Sequence, residues 1–136
     1  MKELKAKGLR IYMQNIGDWV NWDRTYDQYL AGNPETEVEG IAVSWMPTFE
    51  NLKKALRMKC NLFVTHEPLY AFDINEKGYV VDSASSQMTE HLKSYSPFTP
   101  SDVWVRKKKW LNETGLVVYR CHDFWDDYPD IGIYGA

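Results

Sequence analysis

The feature that most constrains the fold of this sequence is a strand–helix–strand pattern in its first half. Val38–Met46 is a largely apolar run of strand length that is rich in β-branched residues, and Asn61–Thr65 is a second such run. Between them, Thr48 is placed as a helix N-cap and is followed by apolar residues at helical spacing from Phe49 onward. Since a helical crossover normally joins parallel strands, the pattern predicts a βαβ unit with two parallel strands.

Further elements extend this unit to the rest of the chain. The spacing predicts a helix over 2–20 interrupted by Gly8, a loop over 31–37, a short strand over 79–81, a helix over 83–95, a break over 96–102, a helix from Ser101 or Asp102 to Thr114 that ends at Gly115, and a strand over 116–121. We therefore predict an α/β fold, a mixed or parallel sheet with flanking helices, in a single domain over 1–136. Ile41 and Val64 are expected in its core.

Composition excludes several classes of protein. The 136 residues carry 16 basic and 19 acidic side chains, a net charge of −3, whereas nucleic-acid-binding domains are usually basic. Apolar runs are far shorter than the ~20 residues that a membrane span needs, and no signal peptide is readable. Cys60 and Cys121 lack zinc-finger spacing. We expect a cytoplasmic protein that binds neither membrane nor nucleic acid.

Two histidines each follow a predicted strand directly. His66 and Glu67 come after the second strand, and His122 comes after the third, with Asp126 four residues later. Ligands of parallel α/β sheets bind outside the carboxyl ends of the strands, so both clusters should meet at one edge. Imidazole and carboxylate groups there suit a divalent metal such as zinc, iron or manganese, and two ions could activate a bridging water.

Simpler interpretations of the same residues exist. A histidine at a strand end is commonly a hydrogen-bonded loop residue, and the acidic run from Asp123 to Asp130 is typical of a solvated loop. Cys121 is expected to be buried and unreactive. The six Trp and nine Tyr residues raise another functional hypothesis, a carbohydrate- or ligand-binding module. Four of these side chains are expected in the core instead: Trp19, Trp22, Trp104 and Trp110.

Four segments, in order along the chain, carry a family resemblance. Trp22-Asp23, together with residues 31–34, resembles a W-D segment, and Val38–Val43 resembles the strand after it. Leu62–Pro68 resembles the signature L-I-I-T-H-H-P, and Leu116–Asp126 resembles the strand that leads into A-H-T-N-L-D. These are motifs of the N-terminal half of the Nif-three-like dinuclear metal family, often called GTP cyclohydrolase type-two homologues. The resemblance implies half of a Nif-three-like fold.

The same resemblance implies a site and an activity. Its metal ligands map onto His66, Glu67 and Asp126, and its motif histidine maps onto His122, as a ligand or as a catalytic proton carrier. It implies two divalent ions, a homo-hexamer, and metal-dependent hydrolysis of a small-molecule substrate, a nucleotide or phosphoester. The alternative is a regulatory or scaffold protein that holds metal without turnover.

Two departures from the family pattern matter. Glu67 stands where most members have a second histidine, which shifts the site towards harder metals. No histidine follows His122, although the family completes its site with a C-terminal histidine and glutamate. We therefore expect a truncated chain that lacks the family's C-terminal portion, with a natural half-length relative as the alternative. Such a chain should bind metal weakly and expose a strand edge to a second copy.

Overall fold

The computed structural model describes residues 3–69, 73–74, 80–81 and 102–134. The helix predicted over 83–95 lies outside the described residues. The elements in chain order are α1 (Lys7–Ile16), β1 (Tyr29–Ala31), β2 (Ile41–Ser44), α2 (Phe49–Arg57), β3 (Leu62–Thr65), β4 (Asp73–Ile74), β5 (Val80–Val81), α3 (Asp102–Thr114), β6 (Val117–Arg120) and α4 (Asp123–Asp126).

The main sheet is mixed and has the strand order β1-β6-β3-β2. β2 and β6 both run parallel to β3, and β1 runs antiparallel to β6. This arrangement confirms the predicted α/β class and the parallel βαβ unit. A separate antiparallel pair, β4 and β5, contains the predicted strand at Val80–Val81.

Local sequence signals set two of the helix ends. The Thr48 side chain accepts a hydrogen bond from the Asn51 N–H, as expected of an N-cap of α2. Gly115 follows α3 with a φ of +69°, a left-handed conformation that favours glycine. Both positions confirm the sequence-based expectation.

The first helix is shorter than the predicted span 2–20. Lys5 pairs with Glu37 in an isolated antiparallel bridge before α1 begins. The helix ends at Gly17, where an added Cβ would lie 2.9 Å from the Phe124 ring and 2.8 Å from the Met13 oxygen. The close approach of Phe124 therefore leaves no room for a side chain at the end of this helix, and the apolar spacing on which the prediction rested does not reveal it.

The strand β1 has no counterpart among the predicted elements. It has three residues and an irregular register against β6, so it shows no apolar alternation of useful length. Gly32 follows it with a φ of +80°, and a Cβ there would lie 2.6 Å from the Cα of Val117. The close approach of these two backbones at the end of β1 requires glycine.

The core lies on both faces of the sheet. On one face, α1 packs through Met13 against a cluster that includes Leu62 and Tyr119. On the other face, α2 and α3 pack against a cluster that includes Phe63 and Val118. Trp19 and Trp22 pack on the first cluster and Trp110 on the second, which confirms their assignment to the core.

The expected core position of Ile41 is wrong. β2 is an edge strand, and its side chains on the α1 side of the sheet are exposed, Ile41 by 46% and Val43 by 77%. Val64, on the neighbouring strand, is partly buried as expected. An apolar alternating strand is typical of a half-buried sheet, but its position at the edge leaves this face uncovered by any described element.

Among the described helices, none is long and apolar enough to cross a membrane.

Candidate metal centre

The two histidines lie at the same edge of the sheet, as predicted. β3 and β6 are parallel neighbours with Thr65 opposite Arg120, so the chain leaves both strands at the same level. The Cys121 N–H donates to the Thr65 carbonyl at 2.8 Å and joins the two exits. The rings of His66 and His122 consequently lie with their centroids 4.6 Å apart.

Asp126 lies between the two imidazoles. Its Oδ1 is 2.8 Å from His66 Nε2, and its Oδ2 is 3.3 Å from His122 Nε2. One donor atom from each of the three residues lies within 4.8 Å of the others. The interpretation of Asp126 as part of a solvated loop is wrong, because α4 holds it at 4% exposure. The structure thus brings together three of the four predicted site residues.

Each histidine has a carboxylate on its other ring nitrogen. His66 Nδ1 lies 3.2 Å from Glu67 Oε1, and His122 Nδ1 lies 2.9 Å from Asp123 Oδ1. Carboxylates only accept hydrogen bonds, so Glu67 and Asp123 favour a proton on each Nδ1, and that tautomer would leave each Nε2 able to bind an ion beside Asp126. Glu67 lies on the far side of the His66 ring, outside the convergent group, and its role as a metal ligand stays a prediction.

Asp123 ties His122 to the segment before β1. Its Oδ2 accepts hydrogen bonds from Thr25 Oγ1 at 2.6 Å and from the Tyr26 N–H at 2.9 Å. Burial would raise the pKa of Asp123, but the hydrogen bonds from His122, Thr25 and Tyr26 outweigh burial and lower it. The same Asp123 contact raises the pKa of His122, with burial opposing and the charge of Asp126 adding to the rise.

Asp27 is a structural support that the sequence analysis missed. Its fully buried carboxylate accepts the backbone N–H groups of His122 at 2.8 Å, Asp123 at 2.6 Å and Phe124 at 3.1 Å. Burial raises the pKa of Asp27, and these hydrogen bonds oppose the rise. α4 has no N-cap side chain of its own, so a residue almost a hundred positions earlier caps it. No local pattern near Asp27 indicates this role.

Two cations support the backbone of the loops around the site. Arg120 Nε donates to the His66 carbonyl at 2.9 Å. Lys107, buried on α3, donates through Nζ to the carbonyls of Pro47 and Leu69, in the loops that leave β2 and β3. Burial lowers the pKa of Lys107 to about 8. These contacts fix loops that β-sheet hydrogen bonds no longer hold.

Several solved structures have a similar architecture. No protein-family model and no curated relative matches the sequence. Solved structures do match, among them HcgD from Methanocaldococcus jannaschii, with a TM-score of 0.62 and 19% identity over 91% of this chain. A Bacillus cereus protein related to NIF3 has a TM-score of 0.62 and 10% identity over 93% of this chain. YbgI, a protein of unknown function, has a TM-score of 0.58 and 16% identity over 97% of this chain.

The chain has the Nif-three-like fold. At these identities the likeness concerns the fold, and it agrees with the family resemblance of the sequence motifs. The chain spans 42% of the length of HcgD, 29% of the Bacillus cereus protein and 44% of YbgI.

The donors at the site fit the divalent ions that the resemblance of the sequence motifs implies. Two imidazole nitrogens and a carboxylate form a common ligand set for zinc, iron and manganese. The carboxylate behind each imidazole is the arrangement that fixes the tautomer of metal-binding histidines. The described residues form one convergent group, made of His66, His122 and Asp126, and a second ion would need further donors.

Proposed function

We propose that the chain holds divalent metal at His66, His122 and Asp126 and is a metal-dependent hydrolase of a nucleotide or phosphoester. The observation that carries this proposal is the convergence of the two Nε2 atoms on one buried carboxylate, with a carboxylate behind each ring. A bound divalent ion lowers the pKa of a coordinated water and polarises a phosphoryl oxygen.

The chain's own residues have separate parts in this proposal. Asp126 contributes the negative charge that keeps a cation at the sheet edge, and its burial strengthens that attraction. Glu67 and Asp123 orient the imidazoles, and Glu67 is the further donor that the family resemblance assigns to the two ions. With its Nδ1 proton donated to Asp123, His122 would bind an ion or move a proton through Nε2.

We also propose that the chain assembles with further copies, a hexamer by family resemblance. Support comes from β2, whose free edge and exposed Ile41 and Val43 side chains are a surface suited to strand pairing. The proposal treats residues 1–136 as one domain that represents the N-terminal portion of a Nif-three-like protein. The cytoplasmic location expected from the sequence stays a prediction.

Metal analysis combined with turnover assays tests this function. The purified chain is incubated with Zn²⁺, Mn²⁺ or Fe²⁺ and assayed on nucleotides and on bis(p-nitrophenyl) phosphate, beside the variant Asp126→Asn. We expect metal-dependent hydrolysis by the native chain and a large loss in the variant. Bound metal without turnover would support the non-catalytic scaffold instead. Failure to bind any of the three metals would refute the proposal.

A further inference from the structure

We propose that the outer face of Trp45 binds the planar heterocycle of the substrate, a purine or pyrimidine base. This inference rests on the proposed function, because it assigns a substrate class to the same site. Trp45 follows the last residue of β2, at the sheet edge where His66 lies. Neither its spacing in the sequence nor the family resemblance assigns it a role.

Trp45 is the end of a column of aromatic rings. Its indole stacks on His66 with centroids 3.8 Å apart and ring planes inclined by 14°. His66 in turn lies 4.6 Å from His122, and the edge of Tyr26 meets His122 at 5.2 Å. Tyr26 therefore lies at the far end of the column, and Trp45 lies at the end nearest to solvent.

The backbone around Trp45 is fixed by hydrogen bonds. Its carbonyl accepts from Thr65 Oγ1 at 3.0 Å and from the Glu67 N–H at 3.1 Å. The Asn51 side chain donates to Ser44 Oγ at 3.1 Å and to the Met46 carbonyl at 3.0 Å, so the residues on both sides of Trp45 are also held. A ligand would therefore meet a pre-ordered ring and would not need to immobilise a free side chain.

Despite this order, the Trp45 side chain is only half buried. Its exposure is 49%, whereas Trp19 and Trp22 are packed on the core and donate their indole N–H groups to carbonyls. Within the described part of the chain, the indole N–H of Trp45 has no hydrogen-bond partner. A rigid aromatic face suits a stacked flat ring, and the N–H at its edge would donate to a sugar or phosphate oxygen that passes that edge.

The distances suit a nucleotide. A ring stacked on the outer face of Trp45 at about 3.5 Å would lie about 7 Å from the plane of His66. Since the indole fills that gap, a sugar that passes the edge of the indole would join the base to a phosphoryl group near the Nε2 atoms of His66 and His122. A phosphoester without a ring would leave the indole uncovered.

Comparative binding of adenosine 5′-monophosphate and ribose 5-phosphate tests this assignment. Equilibrium dialysis is carried out with the full chain, both without metal and with Zn²⁺, so that a base preference can be measured even if hydrolysis is absent. Base stacking on an aromatic side chain is worth about 5- to 150-fold in affinity. We expect the native chain to prefer the nucleotide by a factor in that range.

Variants then assign the preference to Trp45. Trp45→Ala should abolish the preference for the nucleotide, and Trp45→Phe should retain most of it. Tyr12→Ala, which removes an exposed aromatic ring from α1, should leave it unchanged. If the Ala variant does not fold, Trp45→Leu, which keeps an apolar side chain without a ring, should abolish the preference in its place.

The two proposals fail in different ways. A native chain without base preference, or a preference that survives in Trp45→Ala, would overturn the assignment of Trp45. Equal losses of affinity for both ligands in Trp45→Ala would also overturn it, since they would show that Trp45 only positions His66. A Trp45-dependent base preference without hydrolysis would support this inference while refuting the hydrolase.

Discussion

Replacing Lys107 by Met tests how the loops around the site are held. Lys107 is buried on α3, and its ammonium donates to the carbonyls of Pro47 and Leu69. Methionine fills a similar volume but donates no hydrogen bond. The substitution therefore leaves two carbonyls without this donor and also removes a buried charge.

The expected loss of folding stability in Lys107→Met follows from these two opposing effects. A buried polar group that loses its partner costs about 1–3 kcal/mol, so the two carbonyls together would cost several kcal/mol. The pKa of Lys107 is lowered from 10.5 to about 8, so burial of its charge costs up to about 3 kcal/mol at neutral pH, and removal of the charge recovers part of that cost. We expect a net loss of about 1–3 kcal/mol at pH 7.

The effect should depend on pH with a definite sign. Because the pKa of Lys107 is lower in the folded chain, the unfolded chain binds more protons between pH 8 and 10.5, and folding stability rises with pH across that window. Lys107→Met lacks this gain. The difference in stability between native chain and variant should therefore widen by about 1–3 kcal/mol from pH 8 to pH 10.5.

Urea unfolding followed by tryptophan fluorescence, repeated from pH 7 to pH 10.5, measures this difference. Lys108→Met is the matched control, because Lys108 is an exposed neighbour on the same helix. An equal loss of stability in both variants, or a difference that stays constant or narrows with rising pH, would refute the reasoning.

Three further predictions concern the metal site and the sheet edge. Asp126→Asn should weaken Zn²⁺ binding at least ~10-fold in a chelator competition assay, and unchanged binding would exclude Asp126 as a ligand. Because the carboxylate is buried against His66, the substitution should also lower the free energy of unfolding by about 1–3 kcal/mol. Asp123→Asn should weaken Zn²⁺ binding by about 10- to 100-fold through His122, and the exposed control Asp127→Asn should not; equal affinities in the two variants would contradict this. Val43→Lys should change stability by less than about 0.5 kcal/mol but shift light scattering towards the monomer, and an unchanged assembly would exclude this edge as the interface.

Local periodicity was sufficient to predict the βαβ unit and the edge of the sheet where the two histidines lie. Apolar spacing, the cap at Thr48 and the glycine after α3 act over a few residues, so they can be read without knowing the rest of the fold. The parallel direction of β2 and β3 then follows from the connecting helix. Once β6 was predicted as a third strand, the meeting of His66 and His122 at one edge required only that it also run parallel, which the structure confirms.

Contacts between distant segments decided two features of the sheet that the periodicity of the sequence does not encode: the exposure of β2 and the presence of β1. The alternation along β2 has the same form in a central strand and in an edge strand, so the exposure of Ile41 and Val43 depends on which strand pairs with which. β1 forms because three residues find the free side of β6, and its own sequence is too short to show a period.

The finer geometry of the site also required the tertiary structure. The family resemblance names Asp126 as a ligand, but its acidic neighbours are typical of a solvated loop, and only the packing of α4 buries it between two imidazoles. Asp27 caps that helix from a distant segment, and Trp45 stacks on a histidine of the neighbouring strand. The sequence determined which chemical groups are present and the edge of the sheet where they lie, because hydrophobic period and chain direction are local properties. The pairing of those groups was decided by the tertiary structure, since a hydrogen bond or a ring stack between distant residues leaves no period in the chain.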